Sequence, residues 1–183
     1  LTQIEIPSTV KYLGENCFER CNKLTNLTIN PYETQIENNT FEKCNLLNHL
    51  IISSLTTEVY NYEQIGKITE ITIPNSTTSI NDYSFFECSS LKKINISKSV
   101  KSIGNHSFEG CSSLTQITIP SSVTRIGAHA FKGCVSLSQI YIQASIASIL
   151  ESTFEDCSST PRFNIPSSIK HINSGAFKRC YNL

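Results

Sequence analysis

The sequence predicts an α/β solenoid of about eight stacked coils, each with one short parallel β-strand and one short helical or 3₁₀ segment. Three observations predict it. Cysteines recur every 23 residues, at Cys21 and Cys44 and again at Cys88, Cys111, Cys134, Cys157 and Cys180. A phenylalanine stands three residues before each of them, at Phe18, Phe41, Phe85, Phe108, Phe131, Phe154 and Phe177. An alternating apolar pair keeps the same step. Internal repeats of this length mean coils that bury their apolar faces only by stacking on their neighbours.

The alternating pairs are Ile4/Ile6, Leu27/Ile29, Leu50/Ile52, Ile71/Ile73, Ile94/Ile96, Ile117/Ile119, Ile140/Ile142 and Phe163/Ile165. Period two with β-branched residues reads as a strand, and strands occurring once per coil must pair in parallel. Pro7, Pro74, Pro120 and Pro166 end their strands, because proline has no ladder donor. A second apolar pair follows each turn, as in Val100/Ile103 and Val123/Ile126, and leads into Phe-x-x-Cys-x-x-Leu. Its spacing of three predicts the helical or 3₁₀ segment. A small residue before each Phe (Ser84, Ser107, Ala130, Thr153, Ala176) lets that segment lie close to the next coil while the ring fills the interior.

One coil departs from the pattern. Between Cys44 and Cys88, Tyr62, Ile65 and Ile68 stand in the Phe, Cys and Leu columns, and the coil is two residues short between Val59 and Tyr62. In the last coil Thr160 and Phe163 replace Leu and Ile.

The composition is that of one body of 183 residues, with 39% hydrophobic and 16% charged residues, and 15 basic against 15 acidic side chains. A neutral chain has no net field to gather phosphate backbones or anionic membranes, which argues against a nucleic-acid partner. No apolar run approaches the roughly 20 residues of a membrane span, so this segment is not expected to insert into a bilayer, and the segment contains no charged stretch followed by an apolar h-region. Leu1 and Leu183 occupy one column and neither flank carries a capping unit. The expectation is a single solenoid over residues 1–183, taken from a longer protein without its caps.

The run Ile103-Gly104-x-x-x-Phe108, Cys111, Leu114, then Ile117-x-Ile119-Pro120 resembles the leucine-rich repeats of the BspA type, also called the Treponema pallidum type. The resemblance covers essentially the whole chain. It implies a curved, right-handed leucine-rich-repeat solenoid with its strands on the concave side. For function it implies a surface protein of the kind linked to adhesion.

Seven of the eight cysteines share one column beside the interior Phe and Leu columns, so they are expected to be free, buried thiols acting as small hydrophobes. Ile65 in that column fits an apolar slot. Parallel Cβ vectors in adjacent coils suit a disulfide torsion poorly, and ligands arranged in a line do not make a zinc tetrahedron. Cys17 lies off the column, and a Cys17–Cys21 bridge would be strained.

Outward strand positions form two columns. One runs Gln3, Asn26, His49, Glu70, Lys93, Gln116, Gln139 and Arg162, and the other Glu5, Thr28, Ile51, Thr72, Asn95, Thr118, Tyr141 and Asn164. Extended faces of this kind are where repeat proteins bind partners. The candidate binding residues are His49, Ile51, Lys93, Asn95, Gln139, Tyr141 and Arg162, with Ile51 and Tyr141 as apolar anchors. His106 and His129 share a column, but two imidazoles alone make a weak metal site. Sequons at Asn26, Asn38, Asn75, Asn95 and Asn105 are candidate N-glycosylation sites, although 16 Asn and 43 Ser plus Thr would give about as many by chance. A glycan on Asn95 would project from the middle of the binding sheet.

No Ser-His-Asp set, phosphate loop or carboxylate pair recurs in the repeat frame, so neither an enzyme nor a cofactor is expected. The expected function is a protein-binding module. The resemblance implies that it belongs to a cell-surface or secreted adhesin contacting host or matrix proteins. The alternatives are an intracellular leucine-rich-repeat scaffold or sensor, which reduced cysteines would suit, and a structural stalk.

Overall fold

The computed structural model describes residues 1–29, 34–37, 40, 41, 43–52 and 68–183, with the backbone alone at Gln35 and Ile52. The short-coil departure between Val59 and Tyr62, together with Ile65 and the Asn38 sequon, lies outside these residues.

The alternating pairs form strands β1 (Gln3–Glu5), β3 (Asn26–Ile29), β5 (His49–Ile52), β6 (Glu70–Thr72), β8 (Lys93–Asn95), β10 (Gln116–Ile119) and β12 (Gln139–Ile142). All their pairings are parallel and in the predicted columns, with Ile4 opposite Leu27, Leu27 opposite Leu50, Leu50 opposite Ile71 and Ile71 opposite Ile94. The register crosses the short coil without a slip, since His49 still faces Glu70. A one-residue slip would have turned every inward isoleucine to solvent. The inward side chains Leu27, Leu50, Ile71 and Ile117 are buried, and the result is a right-handed parallel solenoid with a repeat of about 23 residues.

The eighth predicted strand, at Phe163/Ile165, does not form. Pro161 is the reason. In the preceding coil the equivalent residue, Ser138, donates its N–H to Thr115 O at 2.9 Å, and proline has no N–H to offer.

The predicted helical segment is also corrected: there is no helix among the described residues. Part of that stretch is a second short strand per coil: β2 (Tyr12–Leu13), β4 (Gln35–Ile36), β7 (Ser79–Ile80), β9 (Ser102–Ile103), β11 (Arg125–Ile126), β13 (Ser148–Ile149) and β14 (His171–Ile172). These pair in parallel as β2 with β4, β7 with β9 with β11, and β13 with β14. The Phe stretch is a chain of turns. Its alternate N–H groups cross to the next coil, as His106, Phe108 and Gly110 do to the carbonyls of Ala128, Ala130 and Lys132 at 2.8–3.0 Å. The N–H groups between them close local turns, Glu109 on His106 and Cys111 on Phe108, both at 3.2 Å. A helix would need all of these donors within its own turns. Left-handed φ values at His106 (55°) and Gly110 (76°) break the helical run.

Phe85, Phe108, Phe131 and Phe154 form a continuous buried stack with centroids 5.2–5.5 Å apart. The small residues before them are buried as well, and the carbonyls of Ser107, Ala130 and Thr153 receive the N–H groups of Phe85, Phe108 and Phe131.

Candidate functional site

The cysteine column does more than fill space. Cys111, Cys134 and Cys157 are fully buried, and each thiol donates to the carbonyl of the Phe one coil earlier, Phe85, Phe108 and Phe131, at 3.2–3.3 Å. Cys44 and Cys180 make the same bond to Phe18 and Phe154 at 3.0 and 3.1 Å. All eight cysteines are free. Burial pushes the thiols of Cys111, Cys134 and Cys157 well above the ordinary cysteine range, so they stay protonated and able to donate. The expectation of small hydrophobes therefore needs amending, because the slot holds a hydrogen-bond donor. Cys17 and Cys21, in the first coil, are exposed.

On the outer ridge, His106 and His129 lie face to face with centroids 4.6 Å apart, and Tyr83 stacks on His106 at 4.7 Å. His106 Nδ1 is paired with Glu109. Parallel stacked rings direct their nitrogen lone pairs side by side instead of toward one point, so the pair does not chelate a metal ion. Among the described residues no group of three His, Cys, Asp or Glu is placed to hold one. No helix of the described residues is long and apolar enough to cross a membrane.

The two outward columns are brought together as predicted. Gln3, Asn26, His49, Glu70 and Lys93 are successive cross-strand partners, as are Glu5, Thr28, Ile51, Thr72 and Asn95, while Gln116 faces Gln139 and Thr118 faces Tyr141. His49 is half-buried, its Nε2 2.9 Å from Thr72 Oγ1. Ile51 is half-buried too, whereas Tyr141 is 53% exposed. Lys93, Asn95 and Gln139 are exposed on their strands, and Arg162 is exposed but lies on no strand. Ile51 and Tyr141 are four strands apart, or about 19 Å at the usual spacing.

The strands do not make one unbroken sheet. A five-stranded sheet, β1-β3-β5-β6-β8, is followed by a separate pair, β10-β12. At the other described interfaces one carbonyl takes two N–H groups from the next coil: Thr69 O receives Lys92 and Lys93 at 2.8 and 3.0 Å, and Thr115 O receives Ser138 and Gln139 at 2.9 and 3.3 Å. Between β8 and β10 the corresponding carbonyl, Lys92 O, receives only Thr115 N–H, at 3.4 Å. A cleft of about 340 Å³ lies at this break, lined by the polar side chains of Lys93, Asn95, Lys98, Gln116, Thr118 and Gln143. Buried Ile94, Ile117 and Pro120 supply the apolar part of its wall. Sequence reasoning placed Lys93 and Asn95 in the candidate set, but Lys98 and Gln143 lie beyond their strands, where no column marks them.

The sequons sit in different surroundings. Asn105 is committed to the fold: its Nδ2 donates to Asp82 Oδ2 at 3.1 Å and its Oδ1 accepts from Ala128 N–H at 3.0 Å. Asn75 Oδ1 accepts from Ser97 Oγ at 2.7 Å. Asn26 is half-buried within β3, and Asn95 is exposed at the cleft.

The family model for the BspA type leucine rich repeat region matches the chain in six copies over residues 1–63 and 56–183. Among solved structures, the Treponema pallidum leucine rich repeat protein superposes with a TM-score of 0.67 at 21% identity, covering 100% of this chain and 78% of that one. A leucine-rich repeat protein from Eubacterium ventriosum gives a TM-score of 0.52 at 22% identity, covering 97% and 64%. No curated protein matches the chain.

Proposed function

The chain belongs to the BspA-type leucine-rich repeat family, and from that premise we propose that residues 1–183 are one solenoid unit acting as a non-enzymatic protein-binding module of a cell-surface or secreted adhesin. Its partner is a host-surface or extracellular-matrix protein. The observation that carries the reading is the pair of outward side-chain columns, held in strict cross-strand register, with Tyr141 exposed on one of them. A rigid face of this kind presents many side chains at fixed spacing, and a few apolar anchors then dominate affinity. The concave-face residues His49, Ile51, Lys93, Asn95, Gln139, Tyr141 and Arg162 form the proposed contact set.

The test is quantitative binding of the folded segment to extracellular-matrix and host-surface proteins, compared with an Ile51→Asp/Tyr141→Ala double variant. Saturable binding that the variant loses, at an unchanged melting temperature, supports the reading. Binding that survives in the variant moves the interface off the sheet.

One observation favours a second reading. Eight free thiols suit a reducing compartment, where the same fold would serve as an intracellular scaffold or sensor. The redox state of the cysteines discriminates between the two: a disulfide in protein isolated from its native compartment favours the surface, and eight thiols that all react with a thiol reagent after denaturation favour the interior of the cell.

A further inference from the structure

We propose that the cleft between β8 and β10 is a binding subsite for the terminal acidic sugar of a glycan, a ligand class separate from the protein partner considered above. Three features of the cleft specify that chemistry.

The first is charge. Lys93 and Lys98 both line the cleft and no carboxylate does. Neither lysine has an ion-pair partner among the described residues. The one acidic side chain opposite Lys93 is Glu70 on β6, on the side away from the cleft. Two ammonium groups with no carboxylate in the cleft and no ion pair of their own among the described residues recognise a carboxylate or sulfate.

The second is hydrogen-bonding type. Asn95, Gln116 and Gln143 present amides, each able to donate and accept at once, and Thr118 adds a hydroxyl. Vicinal sugar hydroxyls need such paired donors and acceptors, whereas an anion alone would need only the lysines. The third is shape. Ile94, Ile117 and Pro120 supply an apolar wall against which the C–H face of a pyranose can lie. The volume of about 340 Å³ lies at the small end of ligand sites, which fits one or two sugar residues.

The loosened ladder is what makes room. Where β10 pairs with β12 the backbone ladder closes the space between strands, whereas at the β8/β10 break side chains from two coils surround an opening.

The experiment titrates the intact segment, produced without N-glycosylation so that Asn95 carries a free amide, with 3′-sialyllactose. Lactose serves as the neutral counterpart and a glutamate-rich peptide as the charge-only control. The expected result is saturable binding of sialyllactose, with lactose weaker by about tenfold or more, as loss of a charge-assisted bond implies. Gln116→Ala and Lys93→Gln should each weaken it by about fivefold or more, and Gln3→Ala, in the same column five strands away, should not. Melting temperatures of all three variants, together with a Thr118→Val variant that keeps side-chain volume, separate lost contacts from lost fold. The proposal is overturned if sialyllactose does not bind, if lactose binds equally, or if Gln116→Ala leaves affinity unchanged. Peptide binding as tight as sialyllactose binding and indifferent to Gln116→Ala also overturns it, in favour of an acidic protein segment.

Discussion

The thiol of Cys134 donates to the carbonyl oxygen of Phe108 at 3.3 Å, and that same oxygen accepts the N–H of Cys111 at 3.2 Å. One carbonyl thus ties two coils together, and the arrangement recurs down the column. Cys134→Ala removes the donor and opens a small void, so it should cost about 1–3 kcal/mol by denaturant unfolding. Cys134→Val restores the volume but not the donor. If Val matched the wild type in stability, the thiol would be acting as a hydrophobe alone.

The same thiols set an alkaline limit. Burial raises the pKa of Cys111, Cys134 and Cys157 in the folded state, whereas the unfolded chain titrates near the ordinary value of about 8.5. Below that value both states hold the proton and stability is at its full level. Above it only the unfolded chain loses protons, so stability falls as pH rises, by up to about 1.4 kcal/mol per pH unit for each thiol. Urea midpoints should therefore agree at pH 7 and 8 and drop by pH 9.5. A variant with all three residues changed to alanine should show a shallower drop; an equal drop would assign the effect to other groups.

Phe131 stacks on Phe108 at 5.2 Å and on Phe154 at 5.5 Å with no exposed surface. Phe131→Ala should destabilise by roughly 3–5 kcal/mol, since the rings on both sides belong to other coils and cannot collapse into the space. A loss under about 1 kcal/mol would be incompatible with an interior stack on the same scale.

The strand columns were legible because a period of two with β-branched residues has one structural reading, and the step of 23 residues, shortened to 21 only between Leu50 and Ile71, aligns each strand with the next. The second strands were not. They are two residues long, and the spacing of three between Val100 and Ile103 imitates a helical turn. The turn chain was hidden for another reason: its left-handed positions are filled by residues such as Arg20, Tyr83, His106 and His129, which carry no glycine signal. Among the candidate site residues the columns could be read, because register follows from period. The cleft could not, since it depends on an interrupted ladder and on Lys98 and Gln143, which lie outside the alternating stretch.

Gly104 and Gly127 occupy one column of the repeat, and each lies against the backbone of the preceding coil. A methyl group on Gly127 would lie 2.6 Å from the Gly104 carbonyl oxygen, with the backbone nitrogen of Asn105 closer still. Both obstacles are backbone of the preceding coil, and the Gly127 N–H bonds Ile103 O at 2.8 Å across the same gap, so neither side can move without loosening the stack. Gly127→Ala should therefore destabilise by about 1–3 kcal/mol through overpacking. Thermal unfolding of the variant beside the wild type tests the assignment, and an unchanged melting temperature would mean that the close approach of coils at Gly127 does not govern stability.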